Sequence, residues 1–387
     1  MIQERPQPDP ATFVGRGKLQ ELTVACDEQR IALVVCDHEL TPTQMRHLEG
    51  ALGRPVIDRT QVILDIFAKR ARTREGQSQV ELAQLQYLLP RLTGHGLELS
   101  RLGGGIGTRG PGETKLETDR RRIRRRIATI SSAIEAVRER RARLRERRRK
   151  SDVPTVALVG YTNAGKTTLF NLLTRAGAEA SDALFVTLDP LLRKVRLPDQ
   201  RELLLSDTVG FIDRLPHTLV AAFRATLEEV RDAGALLHVI DASAEDRDRR
   251  MAAVHAVLAE VGADNVPCID VYNKADRLGL AERRRLEALH DQAVVMSALH
   301  GDGRRELLDR VTAELGLDTS RVVLRCDPRS EAGRRGMAWV YRHGRVVSHV
   351  SREGRARIEA DVPRREYSAF RTLMSGVSAA ALRMEPA

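Results

Sequence analysis

At 387 residues, the chain is too long for one ordinary hydrophobic core and predicts two to four domains. A 42% hydrophobic fraction excludes a disordered chain, and four scattered cysteines with no C-x-x-C pair argue against a disulfide framework or a zinc site. The net charge of +11 sits in one place: Lys115–Lys150 holds 16 basic and 5 acidic residues, leaving 48 of each sign elsewhere. Such a stripe, with no large apolar face beside it, predicts a polyanionic partner, nucleic acid before membrane.

The opening MIQERPQPDP has no apolar leader core, and no later run is long enough to span a membrane, so a reducing, cytoplasmic location is expected. Residues 1 to about 70 alternate between strand and helix patterns. IALVVCD (31–37) reads as a buried strand and TPTQMRHLEGAL (41–52) as a capped helix, followed by PVID (55–58) as a strand and RTQVILDIFAKRA (59–71) as an amphipathic helix. From about 74 the pattern changes. Leu82, Leu85, Leu89 and Leu92 form one apolar seam, with Pro90 expected to end or kink its helix. Ile123, Ile127, Ile130, Ile134, Val137 and Leu144 form a second, interrupted by Arg141. Two seams joined by a loop predict an antiparallel helical hairpin.

That loop contains GGGIGTRGPGE (103–113), with a literal G-x-G-x-x-G at Gly105, Gly107 and Gly110. A dinucleotide site would need a βαβ unit around it, and an arginine-rich helix follows instead. After it, VPTVALVGYTNAGKTTLFNLL (153–173) reads strand, glycine loop, helix. LLLSD (203–207), LLHVID (236–241), CIDVYN (268–273) and AVVMSA (293–298) add apolar runs alternating with helices, which predicts a doubly wound parallel sheet. Beyond about 318, VVLRC, MAWVYRHGRVVSHV and ARIEADVP read as strands of a short α/β tail.

The chemistry is carried by four short motifs in order. Gly160-Tyr161-Thr162-Asn163-Ala164-Gly165-Lys166-Thr167 matches G-x-x-x-x-G-K-[ST], with Thr168 following. Its backbone N–H groups would cradle phosphates at a helix N-terminus, Lys166 would reach the β- and γ-phosphates, and Thr167 would ligate Mg²⁺. Asp207-Thr208-Val209-Gly210 ends a strand. Asp207 would hold Mg²⁺ through water, and the Gly210 N–H would sense the γ-phosphate. Asn273-Lys274-Ala275-Asp276 and Ser297-Ala298-Leu299 end later strands. Asp276 would accept from both the N1 and N2 donors of guanine, a pattern adenine cannot supply, and Ser297–Leu299 would back the base. Between the first two motifs, Phe185-Val186-Thr187-Leu188-Asp189 is expected to border the nucleotide, with Thr187 closing over Mg²⁺. Lys166, Thr187 and Gly210 are therefore the expected catalytic contacts, and Thr167, Thr187 and Asp207 the metal set.

Phe211 occupies the position where many small GTPases carry a glutamine that orients water, so intrinsic hydrolysis is expected to be slow and partner-assisted. Asn163 stands where some partner- or dimer-activated GTPases bind K⁺, which makes K⁺ a candidate second cation. The expected fold is an α/β multidomain chain. It comprises a small N-terminal α/β domain (1–73), a long helical hairpin (74–152), a P-loop GTPase domain with a mostly parallel sheet (153–317) and a small C-terminal α/β domain (318–387).

FVGRGKLQEL (13–22), LAQLQYLLPRL (82–92), GGGIGTRGPGETKLETDRRRIRRRI (103–127), GYTNAGKTTLFN (160–171), LFVTLDP (184–190) and DTVGFIDRLPHTLVAAFRATLEE (207–229) together resemble the HflX family of ribosome-associated GTPases. The resemblance implies binding to the large ribosomal subunit, with the hairpin reaching towards the peptidyl transferase region, and a part in splitting stalled ribosomes. On that reading Arg109, Arg120, Arg121, Arg122, Arg124, Arg125 and Arg126 are the candidate ribosomal RNA contacts, and the chain acts as a monomer. Family members usually have a further strand and helix before PDPATFVGRGK. Met1 lies just upstream of that stretch here, so the N-terminal domain is expected to be truncated, and it contains no second P-loop. A GTPase of ribosome assembly or RNA modification, or an RNA-binding module with structural GTP, are the alternatives.

Overall fold

A computed structural model describes residues 7–92, 111–150, 153–177, 185, 187–188, 191–198, 201–213, 224–290, 293–315, 317, 319–352, 354–363 and 382–386. The N-terminal part runs α1 (Arg16–Glu28), β1 (Val34–Cys36), α2 (Pro42–Leu52), β2 (Val56–Asp58) and α3 (Arg59–Arg70). Thr41 opens α2 with the expected reciprocal cap. The Gln44 N–H donates to Thr41 Oγ1 at 3.2 Å, and the Thr41 N–H donates to Gln44 Oε1 at 3.0 Å. β1 and β2 pair in parallel with Val34 opposite Val56. The expectation of a buried strand at 31–37 is corrected: Leu33 and Val35 are 44% and 59% exposed. Among the described residues β1 pairs with β2 alone, and only its Val34–Cys36 face packs on the core.

Helix α4 (Arg74–Leu88) begins at a capping Thr73, whose Oγ1 accepts from the Gly76 N–H at 3.0 Å, and stops before Pro90. Asp58, fully buried, ties this layer together. It caps α3 through the Gln61 N–H at 2.8 Å and accepts from the Tyr87 hydroxyl of α4 at 2.9 Å. Arg91 stacks on the Tyr87 ring and reaches Asp58 at 3.3 Å, supplying the counter-charge that a buried carboxylate requires.

The second hairpin arm, α5 (Pro111–Lys150), is one 40-residue helix, about 60 Å long at 1.5 Å per residue. Ile130 is buried, and Ile123, Ile127, Ile134 and Val137 are half-buried along the predicted seam. Arg141 interrupts that seam without breaking the helix, because its guanidinium donates to Glu75 of α4 at 2.8 Å. The hairpin loop, Arg109 included, lies outside the described residues.

The central part contains β3 (Thr155–Val159), α6 (Lys166–Thr174), β4 (Leu191–Arg196), β5 (Glu202–Asp207), α7 (Arg224–Arg231), β6 (Ala235–Asp241), α8 (Arg247–Glu260), β7 (Cys268–Asn273), α9 (Leu280–Leu289), β8 (Val294–Val295) and α10 (Arg304–Glu314). The sheet order is β4-β5-β3-β6-β7-β8, and every pairing is parallel except β4 with β5. Leu169, Phe170, Leu307 and Val311 cover one face, and Leu227, Val230, Val254 and Leu258 cover the other. With both faces buried, the inner strands β3 and β6 need near-continuous apolar runs, as their sequences show.

In the C-terminal part, β9 (Thr319–Cys326), β10 (Arg345–Arg352), β11 (Arg355–Pro363) and β12 (Leu382–Pro386) form an antiparallel sheet of order β10-β11-β9-β12. MAWVYRHGRVVSHV does not form one strand. MAWVYRH belongs to helix α11 (Glu331–His343), and only the portion from Arg345 is extended. Ser330 caps that helix by accepting from the Gly333 N–H at 2.9 Å, and Gly333, Gly336 and Val340 face the sheet at helical spacing.

Candidate functional site

The ends of β3, β5, β7 and β8 converge at one edge of the central sheet, the crevice where open α/β folds bind ligands. The phosphate loop leaves β3 at Gly160 and enters α6 at Lys166, with Gly165 at φ +96°. A Cβ at Gly165 would collide with the Asn273 amide, so this position tolerates only glycine. Lys166 is buried, and its ammonium donates to Gly160 O at 3.1 Å and Tyr161 O at 2.9 Å, folded back over the loop. Burial pushes its pKa down to about 8, against the opposing pull of the Asp207 charge. Thr162 is buried, Asn163 exposed at φ +60° and Thr168 half-buried.

Three of the predicted residues meet at one point. Thr167 Oγ1 lies 2.8 Å from Thr187 Oγ1, and both hydroxyls donate to Asp207 Oδ2 at 2.9 Å. The second Asp207 oxygen, Oδ1, is buried with no hydrogen-bond partner. Burial raises the Asp207 pKa, opposed by Lys166 and the two threonines. Two hydroxyls and a carboxylate with an orphaned oxygen are the donor chemistry that suits Mg²⁺, a hard cation taking oxygen ligands. Gly210 packs against the phosphate loop so closely that a Cβ would lie 2.8 Å from Thr162 Cγ2 and 3.0 Å from Lys166 Nζ.

At the far end, Asn273 braces the loop by donating to Ala164 O at 2.8 Å while its Oδ1 accepts from the Ala298 N–H at 2.9 Å. Lys274 donates to Asn163 O at 2.7 Å and to Asp241 Oδ2 at 2.8 Å. The Ala275 N–H bonds to Met296 O at 3.1 Å, which joins this turn to the Ser297–Leu299 turn. Ser297 Oγ donates to Asp276 Oδ1 at 2.5 Å, and that hydrogen bond holds the Asp276 carboxyl below its ordinary range. Leu299 is 72% exposed. The sequence motifs did not single out Asp241, although an acid closing LLHVID at the strand end beside Asn273 was its available signal.

Other site residues face away from this crevice. Thr208 Oγ1 donates to Leu158 O at 2.6 Å, joining two strands. Phe211 is fully buried with Leu227, Val230 and Val254, while its backbone pairs with Gly160 and Thr162 at 3.1 and 2.8 Å. Phe185 and Leu188 are buried with Leu64 and Phe67 of the N-terminal part and Val80 of α4, Phe185 edge-on to Phe67 at 4.6 Å. Val209 and Ile212 enter the same cluster, and Arg59 of α3 donates to Asp213 O at 2.9 Å. The segments on either side of the Thr187–Thr167–Asp207 contact are thus anchored in another domain's core. Val186 and Asp189 lie outside the described residues.

On α5, Arg121, Arg122, Arg124 and Arg125 are exposed and Arg120 is half-buried. Arg126 is held in a two-pronged pair with Glu81 of α4 at 2.7 and 2.8 Å. Further along, Arg138 pairs with Glu228 of α7 at 2.5 Å, which ties the hairpin to the helix after the Asp207–Gly210 segment. No helix of the described residues is long and apolar enough to cross a membrane.

A doubly wound sheet carrying a phosphate loop, a converging hydroxyl–carboxylate cluster and an Asn-Lys-x-Asp turn defines a P-loop GTPase. Residues 155–274 match the family described as "50S ribosome-binding GTPase", 70–148 "GTP-binding GTPase Middle Region" and 1–68 "GTP-binding GTPase N-terminal". The chain is 50% identical over 326 residues to GTPase HflX of Escherichia coli (strain K12), covering 84% of this chain and 76% of that one. It is 46% identical over 364 residues to GTPase HflX of Lacrimispora saccharolytica, covering 94% and 85%. Among solved structures, a GTP-binding protein from Sulfolobus solfataricus in complex with GDP aligns with a TM-score of 0.44 at 24% identity, covering 81% of this chain and 89% of that one. The chain belongs to the HflX GTPase family and is a GTP-hydrolysing enzyme.

Proposed function

We propose that this protein is a GTP-switched factor that binds the large ribosomal subunit and splits stalled ribosomes. The observation that carries the proposal is the seating of Phe185, Leu188, Val209 and Ile212 in the N-terminal core, on either side of the Thr187–Thr167–Asp207 contact. A change of Thr187 or Gly210 with the γ-phosphate is then transmitted directly to the domain that carries the hairpin.

In this reading the N–H groups of Gly160–Thr168 cradle the phosphates, and Lys166 exchanges its two backbone acceptors for β- and γ-phosphate oxygens. Thr167, Thr187 and Asp207 would hold Mg²⁺, which would supply positive charge to offset that of the phosphates. The Gly210 N–H registers the γ-phosphate. Asp276 selects guanine through its N1 and N2 donors while Asn273, Lys274, Ala275 and the Ser297–Leu299 turn hold the pocket. Asn163 is the residue on which a K⁺ dependence would rest. Because the Phe211 ring is buried in the sheet core, no side chain at that position orients water. Hydrolysis is therefore slow alone, and the ribosome completes the site.

The exposed arginines of α5 supply phosphate contacts to ribosomal RNA, with Arg126 released for that role only if it leaves Glu81. Co-sedimentation with intact ribosomes and isolated subunits under GTP, GDP and a non-hydrolysable analogue, alongside GTP turnover, tests the proposal. Binding to the large subunit and loss of intact ribosomes in the triphosphate state are expected. Equal binding in all three states would overturn it.

A further inference from the structure

His238 is a polar island on an apolar face of the sheet, mid-strand in β6 with Leu236 and Ile240 as its same-face neighbours. It is 1% exposed, and its Nδ1 lies 3.0 Å from Asp270 Oδ1 on β7, directly opposite in the parallel register. Cys268 stands two residues before Asp270 on the same face of β7, exposed at the strand's start. One donor atom from each of His238, Cys268 and Asp270 lies within 4.8 Å of the others, a convergence that no other three such residues achieve among the described residues. From α8, His255 lays its ring edge-on over His238, with centroids 5.2 Å apart.

We propose that His238, Cys268 and Asp270, with His255 as a fourth donor, form a site for a borderline divalent metal of the Zn²⁺ class. In a tetrahedral site with bonds of about 2.0–2.3 Å, donor atoms stand roughly 3.3–3.8 Å apart, so the donors of His238, Cys268 and Asp270, within 4.8 Å of one another, close on the ion by side-chain torsions, and His255 joins by swinging in from α8. Imidazole, thiolate and carboxylate together select Zn²⁺ or a similar ion over Mg²⁺, which prefers oxygen alone. The site is thereby chemically separate from the oxygen cluster at Thr167, Thr187 and Asp207. Binding forms the metal–sulfur bond and releases the thiol proton to solvent.

The absence of any C-x-x-C pair, which argued against zinc at the level of sequence, does not bear on this site. Its donors come from two paired strands and a helix, and strand register rather than sequence spacing brings them together. Three residues beyond His238, Asp241 pairs with Lys274, and three beyond Asp270 comes Asn273. The metal would therefore clamp β6 to β7 directly behind the turn proposed to hold guanine.

Co²⁺ substitution provides the test, using the full-length protein with GDP and excess Mg²⁺ to occupy the phosphate site. One equivalent of Co²⁺ should bind saturably, giving the intense visible absorption of a tetrahedral ion and a thiolate-to-cobalt charge-transfer band, both removed by Zn²⁺. Cys268→Ser should abolish the charge-transfer band and leave GDP binding unchanged, whereas Cys36→Ser should leave the band intact. Asp270→Asn should weaken Co²⁺ binding on the order of tenfold or more. No saturable equivalent, or a weak octahedral spectrum unaltered by Cys268→Ser, would overturn the proposal. A band that follows Cys36 would do the same.

Discussion

At the scale of single residues, Asp276 and Lys166 carry the most testable chemistry. Asp276 is kept ionised by the Ser297 hydroxyl, ready to accept two donors from one base edge. Asp276→Asn should lower GTP affinity on the order of 10³-fold or more, since an amide cannot accept at both positions. It should also favour xanthine nucleotides, which replace one of those donors by a carbonyl acceptor. Equilibrium titration with fluorescent guanine and xanthine diphosphates reads both changes. Lys166, lowered to about 8 by burial, must carry its proton for the proposed pairing with phosphate, and phosphate would raise its pKa in turn. GDP affinity should therefore be flat below pH about 8 and fall above it, steepening towards about tenfold per pH unit, with proton uptake on binding. Calorimetry in buffers of different ionisation enthalpy measures that uptake. A pH-independent affinity up to pH about 9.5 would contradict the buried, phosphate-facing role.

At the scale of elements, the two segments flanking Thr187 and Asp207 are held from the side opposite the crevice. Phe185→Ala should remove an edge-on ring from the shared core and cost about 3–5 kcal/mol, read as a lower melting temperature. It should weaken binding of a GTP analogue more than of GDP, because Thr187 is the contact proposed to depend on the γ-phosphate. Arg138→Ala leaves the buried Glu228 without its guanidinium partner. About 1 kcal/mol is expected, the low end for a charged hydrogen bond, because Arg138 is 36% exposed and screened by water. The phosphate loop and the Asn273–Asp276 turn were legible in the sequence, since their chemistry resides in adjacent residues. The anchoring of Phe185 and Leu188 was not, since it depends on α3 and α4, more than a hundred residues away at Phe67 and Val80. β4 was missed because LLRKVR, an antiparallel edge strand, buries Val195 while leaving Arg193 and Lys194 exposed, and so reads as polar. MAWVYRH was misread because aromatic and β-branched residues favour strands, while the decisive helix signal was Ser330 capping Gly333.

At the scale of the molecule, one arm of the hairpin carries the entire charge surplus away from a nearly neutral body. Replacing Arg121, Arg122, Arg124 and Arg125 with alanine should weaken ribosome association and flatten its dependence on salt. The slope of log K against log [salt] should shrink by about 0.7–0.9 for each RNA phosphate that no longer meets an arginine. Sedimentation across a salt series reads it, and an unchanged slope would place the RNA-binding surface elsewhere. Deleting residues 103–112 should spare GTP binding and abolish splitting. The core that contains Leu48, Ile63, Phe67 and Val80 also contains Val209 and Ile212, so it belongs to two domains at once. Such a core cannot melt on one side only, and the N-terminal domain and the nucleotide site should unfold as one cooperative unit. GDP at a hundred times its dissociation constant should then add about 2.7 kcal/mol to the stability of α2 and α3, helices that contribute no residue to its pocket. Slower amide exchange in those helices on adding GDP would reveal this ligand-linked protection.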